Sequence, residues 1–226
     1  MSRYSITFTT REGGVSEGPF ASLNLGLLTE DDPARVDENR RVVCSRVGAD
    51  HERLAMNRQV HGPAVNRAVA GRRGQEGDGL WTDEREVPML ALTADCLPIV
   101  LTRYHGVPAI AVLHAGRTGM LAGIVEAGVA ALGGGRLEAM VGPGIGACCY
   151  EVGPDIRAAY RSRFGDGVLS NGRIDLRASA VTLLRAAGVE RIVHEQACTA
   201  CEPTRFFSHR RDGPKTGRQG VIAYIA

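Results

Sequence analysis

The apolar and polar positions divide the chain into short β-like runs and a few helix-like segments. The clearest predicted helix runs from Pro33 to Val47. Asp32 can cap it, Pro33 suits its first turn, Val36, Val43 and Val47 fall near one face, and Gly48 ends it. A second is predicted from Met120 to Leu132, where Leu121, Ile124, Val125, Val129 and Leu132 share a side despite two interior glycines. A third follows Gly153 with Pro154 in its first turn. A fourth runs from Asp175 to Gly188, with Leu176, Val181, Leu183 and Leu184 as core candidates. Between them lie β-rich runs at Tyr4 to Thr9, Val65 to Ala70, Met89 to Thr93, Ile99 to Thr102, Val107 to Leu113, Leu137 to Val141, Ile192 to His194 and Val221 to Ile225. Several strands follow one another before the helix after His114, unlike a doubly wound sheet or an eight-fold barrel. The order predicts an α+β fold with mixed sheets, and with no repeat, low-complexity tract or linker, a single domain spanning residues 1–226.

A chain of 226 residues, 44% of them hydrophobic, can bury a sizeable core. Of its 27 basic residues only Lys215 is lysine, and no GxxxxGK[ST] loop is present. Schiff-base chemistry and P-loop nucleotide hydrolysis are therefore disfavoured. A net charge of +2, with arginines dispersed rather than gathered in a stripe, argues against a nucleic-acid polymer as partner. MSRYSITFTTREGG lacks the apolar stretch of a secretory signal. The most apolar segment, Val87 to Leu101, is broken by Thr93, Asp95 and two prolines and is too short to span a bilayer. A cytoplasmic protein with no membrane partner is expected. In that reducing compartment Cys44, Cys96, Cys148, Cys149, Cys198 and Cys201 should be free thiols.

Three residues with metal-ligand chemistry sit where β-like runs meet loops: His61 in QVHG, Cys96 in TADC and His114 in VLHAG. They are too far apart for a zinc knuckle, so a site built from them would be assembled by the fold. Two imidazoles and a thiolate suit zinc and leave a fourth position for water; packed core residues are the other reading. A CxxC, Cys198 to Cys201, follows His194 and allows either metal or dithiol chemistry, or incidental thiols. Gly142, Gly144 and Gly146 could form an anion nest or a tight structural turn. Phe206-Phe207-Ser208-His209-Arg210-Arg211 puts two guanidiniums beside two aromatics, which suits a phosphate or carboxylate, or a surface turn.

Taken in order, REGGVS (11–16), SLNLG (22–26), QVHG (59–62), DGLWT (78–82), TADCLP (93–98), HAG (114–116), GPGIG (142–146), CYEVG (149–153), CT (198–199) and FFSHRRDG (206–213) span nearly the whole chain. Together they resemble the purine nucleoside phosphorylase family once labelled polyphenol oxidoreductase laccase, the laccase-domain proteins. The resemblance implies a zinc site at His61, Cys96 and His114, with copper as the other possible ion. It also implies phosphorolysis of adenosine, inosine, guanosine or methylthioadenosine, with adenosine deamination as a second activity. The implied fold is a sandwich of mixed sheets flanked by helices, related to that of cytotoxic necrotizing factor-type deamidases. One departure stands out: Arg117-Thr118-Gly119 replaces the family's Trp-Arg-Gly, which removes an indole and shifts a guanidinium that could bind substrate.

Under this reading, deamination needs a metal-activated water at C6 of adenine and a carboxylate to shuttle the proton, for which Asp78 and Asp95 are the candidates. Asp95, next to a ligand, could instead orient the centre. Phosphate needs cationic and N–H donors, for which Arg11, Arg210 and Arg211 are the candidates, with Asn24 as a neutral partner. A competing class is a thiol hydrolase or deamidase with Cys96 as nucleophile and His114 as base. A multicopper oxidase is disfavoured by six histidines and the absence of paired HxH motifs. A non-catalytic module with a structural zinc would normally close the site with four protein ligands.

Overall fold

The computed structural model describes residues 3–226. In chain order its elements are β1 (Tyr4–Phe8), α1 (Pro33–Val47), β2 (Met56–Arg58), β3 (Val65–Arg67), β4 (Arg73–Glu76), β5 (Gly79–Thr82), β6 (Met89–Thr93), β7 (Leu97–Arg103), β8 (Ala109–Ala115), α2 (Arg117–Ala122), α3 (Ile124–Ala131), β9 (Leu137–Val141), α4 (Pro154–Phe164), β10 (Leu169–Ser170), β11 (Arg173–Ile174), α5 (Leu176–Ala186), β12 (Arg191–His194), α6 (His209–Asp212) and β13 (Gln219–Ile225). A six-stranded sheet has the order β12-β9-β7-β8-β5-β3, and a three-stranded sheet the order β1-β13-β6. In the larger sheet β12 with β9 and β3 with β5 are parallel while the central pairs are antiparallel, so the sheet is mixed and the fold α+β.

Side-chain alternation explains the layers. Val100, Ile110 and Val112 of the larger sheet meet Met89, Ala91, Val221, Ala223 and Ile225 of the smaller one, forming the sandwich interior. The opposite positions on β7 and β8, including Ile99, Leu101, Ala111 and Leu113, pack on α3 and α5 through Ile124, Val125, Leu183 and Leu184. On the far side of the small sheet, Leu90 and Ile222 pack on Val43 and Cys44 of α1. The order is therefore helix, sheet, sheet, helices, and the central strands β6, β7, β8 and β13 are buried on both faces. That explains why these strands read as continuous apolar runs.

The helix predicted over Pro33 to Val47 forms with those bounds, capped by Asp32 Oδ1, which accepts from Ala34 N–H at 2.9 Å, and ended by Gly48 at φ 72°. The single helix expected from Met120 to Leu132 is corrected. It starts earlier, at Arg117, and splits into α2 and α3 at Gly123, whose φ of 96° is left-handed and cannot continue a helix. The strand expected at Val107 to Leu113 lies two residues further on and carries His114 within it. Among the described residues no helix is long and apolar enough to cross a membrane.

One crossing positions the site. The chain leaves β6 in the small sheet and enters β7 in the large one through Ala94, Asp95 and Cys96, with Asp95 at φ 92°. Pro98 of β7 pairs with His114 of β8, so the crossing corner and the end of β8 lie side by side.

Candidate metal centre and active-site cleft

His61, Cys96 and His114 converge at this corner, their ligand atoms all within 4.8 Å of one another. They come from the loop after β2, the crossing corner and the end of β8. The imidazole rings of His61 and His114 are 4.8 Å apart and nearly perpendicular, at 75°. One carboxylate organises both. Asp78, buried just before β5, accepts the backbone N–H groups of Val60 at 3.0 Å, His61 at 2.9 Å and Gly62 at 2.8 Å. This anchors the loop where His61 sits at the unusual φ of 60°. The same carboxylate accepts Nδ1–H of His114 at 2.7 Å. That bond fixes the tautomer and leaves Nε2 of His114 for an ion.

Charges at the centre are interlocked. Burial opposes a thiolate at Cys96, but the charge of His114 and hydrogen bonds from His114 and His61 outweigh it and bring the thiol down to about 6. Burial likewise opposes an imidazolium, but Cys96 and Asp78 lift His114 to about 9. Burial also works against the Asp78 charge, yet the bonds from His114, Gly62 and Val60 hold its carboxyl below the usual range. An ion entering near pH 7.5 thus meets a thiolate already formed and an imidazolium that must surrender its Nε2 proton. Cys96 and His114 together are expected to release one proton per ion, and affinity should rise about tenfold per pH unit until His114 is neutral above about 9. Calorimetry in buffers of different ionisation heat counts that proton.

The donor set fits a borderline-soft divalent ion such as zinc: two imidazole nitrogens and one thiolate, with the Asp78 carboxylate behind His114. Gly116 makes the space. A Cβ there would lie 2.8 Å from Cys96 Sγ and 3.2 Å from His61 Cδ2.

The centre opens into a cavity of about 860 Å³, within the usual range for small-molecule sites. Of the residues singled out from sequence, Asp95, Cys96, Arg117 and Arg210 line it along with the two histidines. Asp95 Oδ1 accepts Thr199 Oγ1–H at 2.6 Å and Oδ2 accepts Arg210 N–H at 2.7 Å, while its carbonyl accepts Ile145 N–H at 2.8 Å. Arg210 lies over the Tyr150 ring at 5.0 Å and donates to the Glu151 carbonyl at 2.9 Å.

The other candidates do not reach the cavity. Arg11 stacks on Phe207 at 4.4 Å and donates to the carbonyls of Ala21 at 2.8 Å and Pro203 at 3.0 Å. Arg211 donates to the carbonyls of Thr199 at 2.8 Å and Phe206 at 2.9 Å and pairs with Asp212 at 2.7 Å. Asn24 is buried, bonding Asp31 Oδ2 at 2.9 Å, Gly26 N–H at 3.0 Å and Arg218 N–H at 2.8 Å. It shapes the Gly26 to Thr29 loop, which does line the cavity. Asp78, bonded on both oxygens beneath the centre, does not line it either. Sequence reasoning passed over Arg40, Arg73 and Arg218, Gln59, Thr93, Tyr150 and His209, all on the cavity wall. Tyr150 and His209 lie inside motifs quoted for the resemblance, whereas the three arginines carry no local signal among so many.

A group of two histidines and one cysteine that could hold a metal ion, set at a corner between two β-sheets and facing an arginine-lined cleft, is what these features define. Residues 5–226 match the family model described as multi-copper polyphenol oxidoreductase laccase, and the chain belongs to this family. Purine nucleoside phosphorylase PA4543 of Pseudomonas aeruginosa is 37% identical to it over 99% of this chain and 94% of its own length. Purine nucleoside phosphorylase YlmD of Geobacillus stearothermophilus is 35% identical over 96% of this chain and 88% of its own. The crystal structure of NMB0706 from Neisseria meningitidis superposes with a TM-score of 0.91 at 33% identity, covering 100% of this chain and 95% of that one. That of YlmD superposes with a TM-score of 0.90 at 32% identity, covering 99% and 92%.

Proposed function

We propose that this chain is a zinc-dependent purine nucleoside phosphorylase acting in the cytoplasm, with adenosine deamination as a second activity at the same centre. The carrying observation is the three-donor centre opening into a cavity of about 860 Å³ whose wall holds Arg117 and Arg210. The activity named for its relatives supplies the reaction class. Zinc held by His61, Cys96 and His114 would supply a Lewis acid with a position left for water or substrate.

In phosphorolysis a phosphate oxygen bonds to the sugar C1′ as the C1′–N9 bond breaks and its electron pair leaves on the purine. Arg117 and Arg210 are assigned to the phosphate, where cationic donors count most as charge redistributes. Thr93 Oγ1, buried on the cavity wall with no hydrogen-bond partner among the described residues, is available to a substrate hydroxyl. For deamination we assign proton transfer to Asp95, which lines the cavity, and a positioning role to Asp78, which does not. Copper would suit the same donors, but an oxidase with several coppers needs more histidine sites. Among the described residues only one metal-competent group contains histidine.

Metal-quantified protein incubated with adenosine, inosine, guanosine and methylthioadenosine, with and without phosphate, tests this. Base and sugar 1-phosphate should form only with phosphate, inosine should form from adenosine without it, and chelation should stop both. Full turnover by metal-free enzyme, or no product in any lane with His61→Ala leaving metal content unchanged, would sink the reading.

A second reading has an observation of its own. Asp78, His114 and Cys96 form a hydrogen-bonded series ending in a depressed thiol, the arrangement of a cysteine hydrolase or deamidase. It predicts activity that survives chelation and is abolished by alkylation of Cys96.

A further inference from the structure

A second cluster lies outside the cleft. The Sγ atoms of Cys148, Cys149, Cys198 and Cys201 all lie within 4.8 Å of one another. The topology brings them together: β9 and β12 are parallel neighbours, so the chain leaving each runs on beside the other. Their pairing continues past the strands as a bridge between Gly144 and Cys198, where Thr199 N–H donates to the Gly144 carbonyl at 3.1 Å. A turn closed by Cys149 N–H on the Gly146 carbonyl at 3.0 Å swings both adjacent cysteines toward the facing loop. Gly146 permits the approach, since a Cβ there would lie 3.1 Å from Cys148 Sγ and 3.3 Å from Cys198 Sγ.

The sulfur geometry is that of an ion site rather than of disulfide pairs. Cys201 Sγ has two nearly equivalent neighbours, Cys149 at 3.3 Å and Cys148 at 3.6 Å, and neither is at bonding distance. With zinc–sulfur bonds of about 2.3 Å, the edge of a tetrathiolate tetrahedron is about 3.8 Å. Cys198 Sγ also accepts backbone N–H groups from Gly146, at 3.1 Å, and from Cys201. Such bonds stabilise negative sulfur in a CxxC turn.

We propose that Cys148, Cys149, Cys198 and Cys201 form a second metal site, a tetrathiolate centre for one zinc ion that staples the two loops together. Binding displaces thiol protons and forms four Zn–S bonds with no change of oxidation state. With all four positions taken by protein, the site is structural. Its role is to hold the wall of the cleft. Thr199, inside the CxxC, donates to Asp95 at 2.6 Å, and Tyr150, directly after Cys149, carries Arg210. This inference does not rest on the proposed reaction.

The full-length His61→Ala/Cys96→Ala chain separates the two centres. We expect the wild-type chain to hold two zinc ions and the double variant one. Cobalt(II) loaded into that variant should give the intense near-ultraviolet charge transfer and tetrahedral d–d bands of four thiolates. Adding Cys201→Ser should remove the remaining ion. Should that triple variant fail to fold, the cobalt spectrum of the double variant decides alone. A double variant that takes up neither metal while its four thiols remain alkylatable, or that shows by mass the loss of two hydrogens to a disulfide, would overturn the proposal.

Discussion

Replacing Asp78 by alanine should abolish the proposed metal binding and cost about 3–5 kcal/mol of stability at once. The buried carboxylate satisfies three consecutive backbone N–H groups and the Nδ1–H of His114. Its removal leaves four donors without an acceptor and frees the loop that carries His61. Asp78→Asn is the sharper experiment. Its amide can present an NH₂ to His114, which makes Nδ1 the acceptor, moves the ring proton to Nε2 and blocks the nitrogen meant for the ion. Competition with a chelator should show metal affinity falling at least 10–100-fold, roughly the range for lost partners of ligating histidines. Urea unfolding should show reduced stability in the same variant. An Asp78→Asn protein that keeps its metal and its stability while losing only turnover would return Asp78 to the proton-shuttling role that its motif suggested.

That reassignment shows where sequence reading stops. The local signals sufficed for α1, whose cap, first-turn proline and terminal glycine all lie within its own sixteen or so residues. They sufficed for β6 and β9, found at the predicted bounds. They failed for β4, an exposed Arg-Gly-Gln-Glu segment made a strand only by its pairing with β2. They also failed at Gly123, where one left-handed residue divides a segment whose apolar face continues past it. The three candidate metal donors, which the fold brings together, were nameable because their residue types are rare and each lies at the edge of an apolar run. The role of Asp78 was not nameable, because it depends on three N–H groups some sixteen residues away in sequence that only the fold aims at it. The four cysteines were legible only as two separate pairs, since what joins them is the parallel register of β9 and β12.

Arg210 and Arg211 looked equivalent in sequence and should now behave oppositely. Arg211 spends its guanidinium on the carbonyls of Thr199 and Phe206 and on Asp212, whose carboxyl it holds below the usual range against the effect of burial. A lysine cannot reproduce that fork, so Arg211→Lys should destabilise the fold by roughly 2–4 kcal/mol. Once folded, its phosphate dependence should be close to that of the wild type. Arg210 instead lines the cavity, leaning on Tyr150 and bonded through one nitrogen to Glu151. Its backbone N–H, which holds Asp95, survives substitution. Arg210→Ala should therefore unfold near the wild-type midpoint while phosphate-dependent base release falls by about 10²–10³-fold in kcat/KM, the scale of losing one charge-stabilising donor. Chelator titration should find its metal affinity unchanged, which separates this loss from that in the Asp78 variants. The pair of assays is decisive because the two substitutions exchange signatures. If Arg211→Lys impaired phosphate use without lowering stability, or Arg210→Ala lowered stability without impairing phosphate use, the division of labour drawn from the geometry would be wrong. The anion would then have to be sought outside this wall of the cleft.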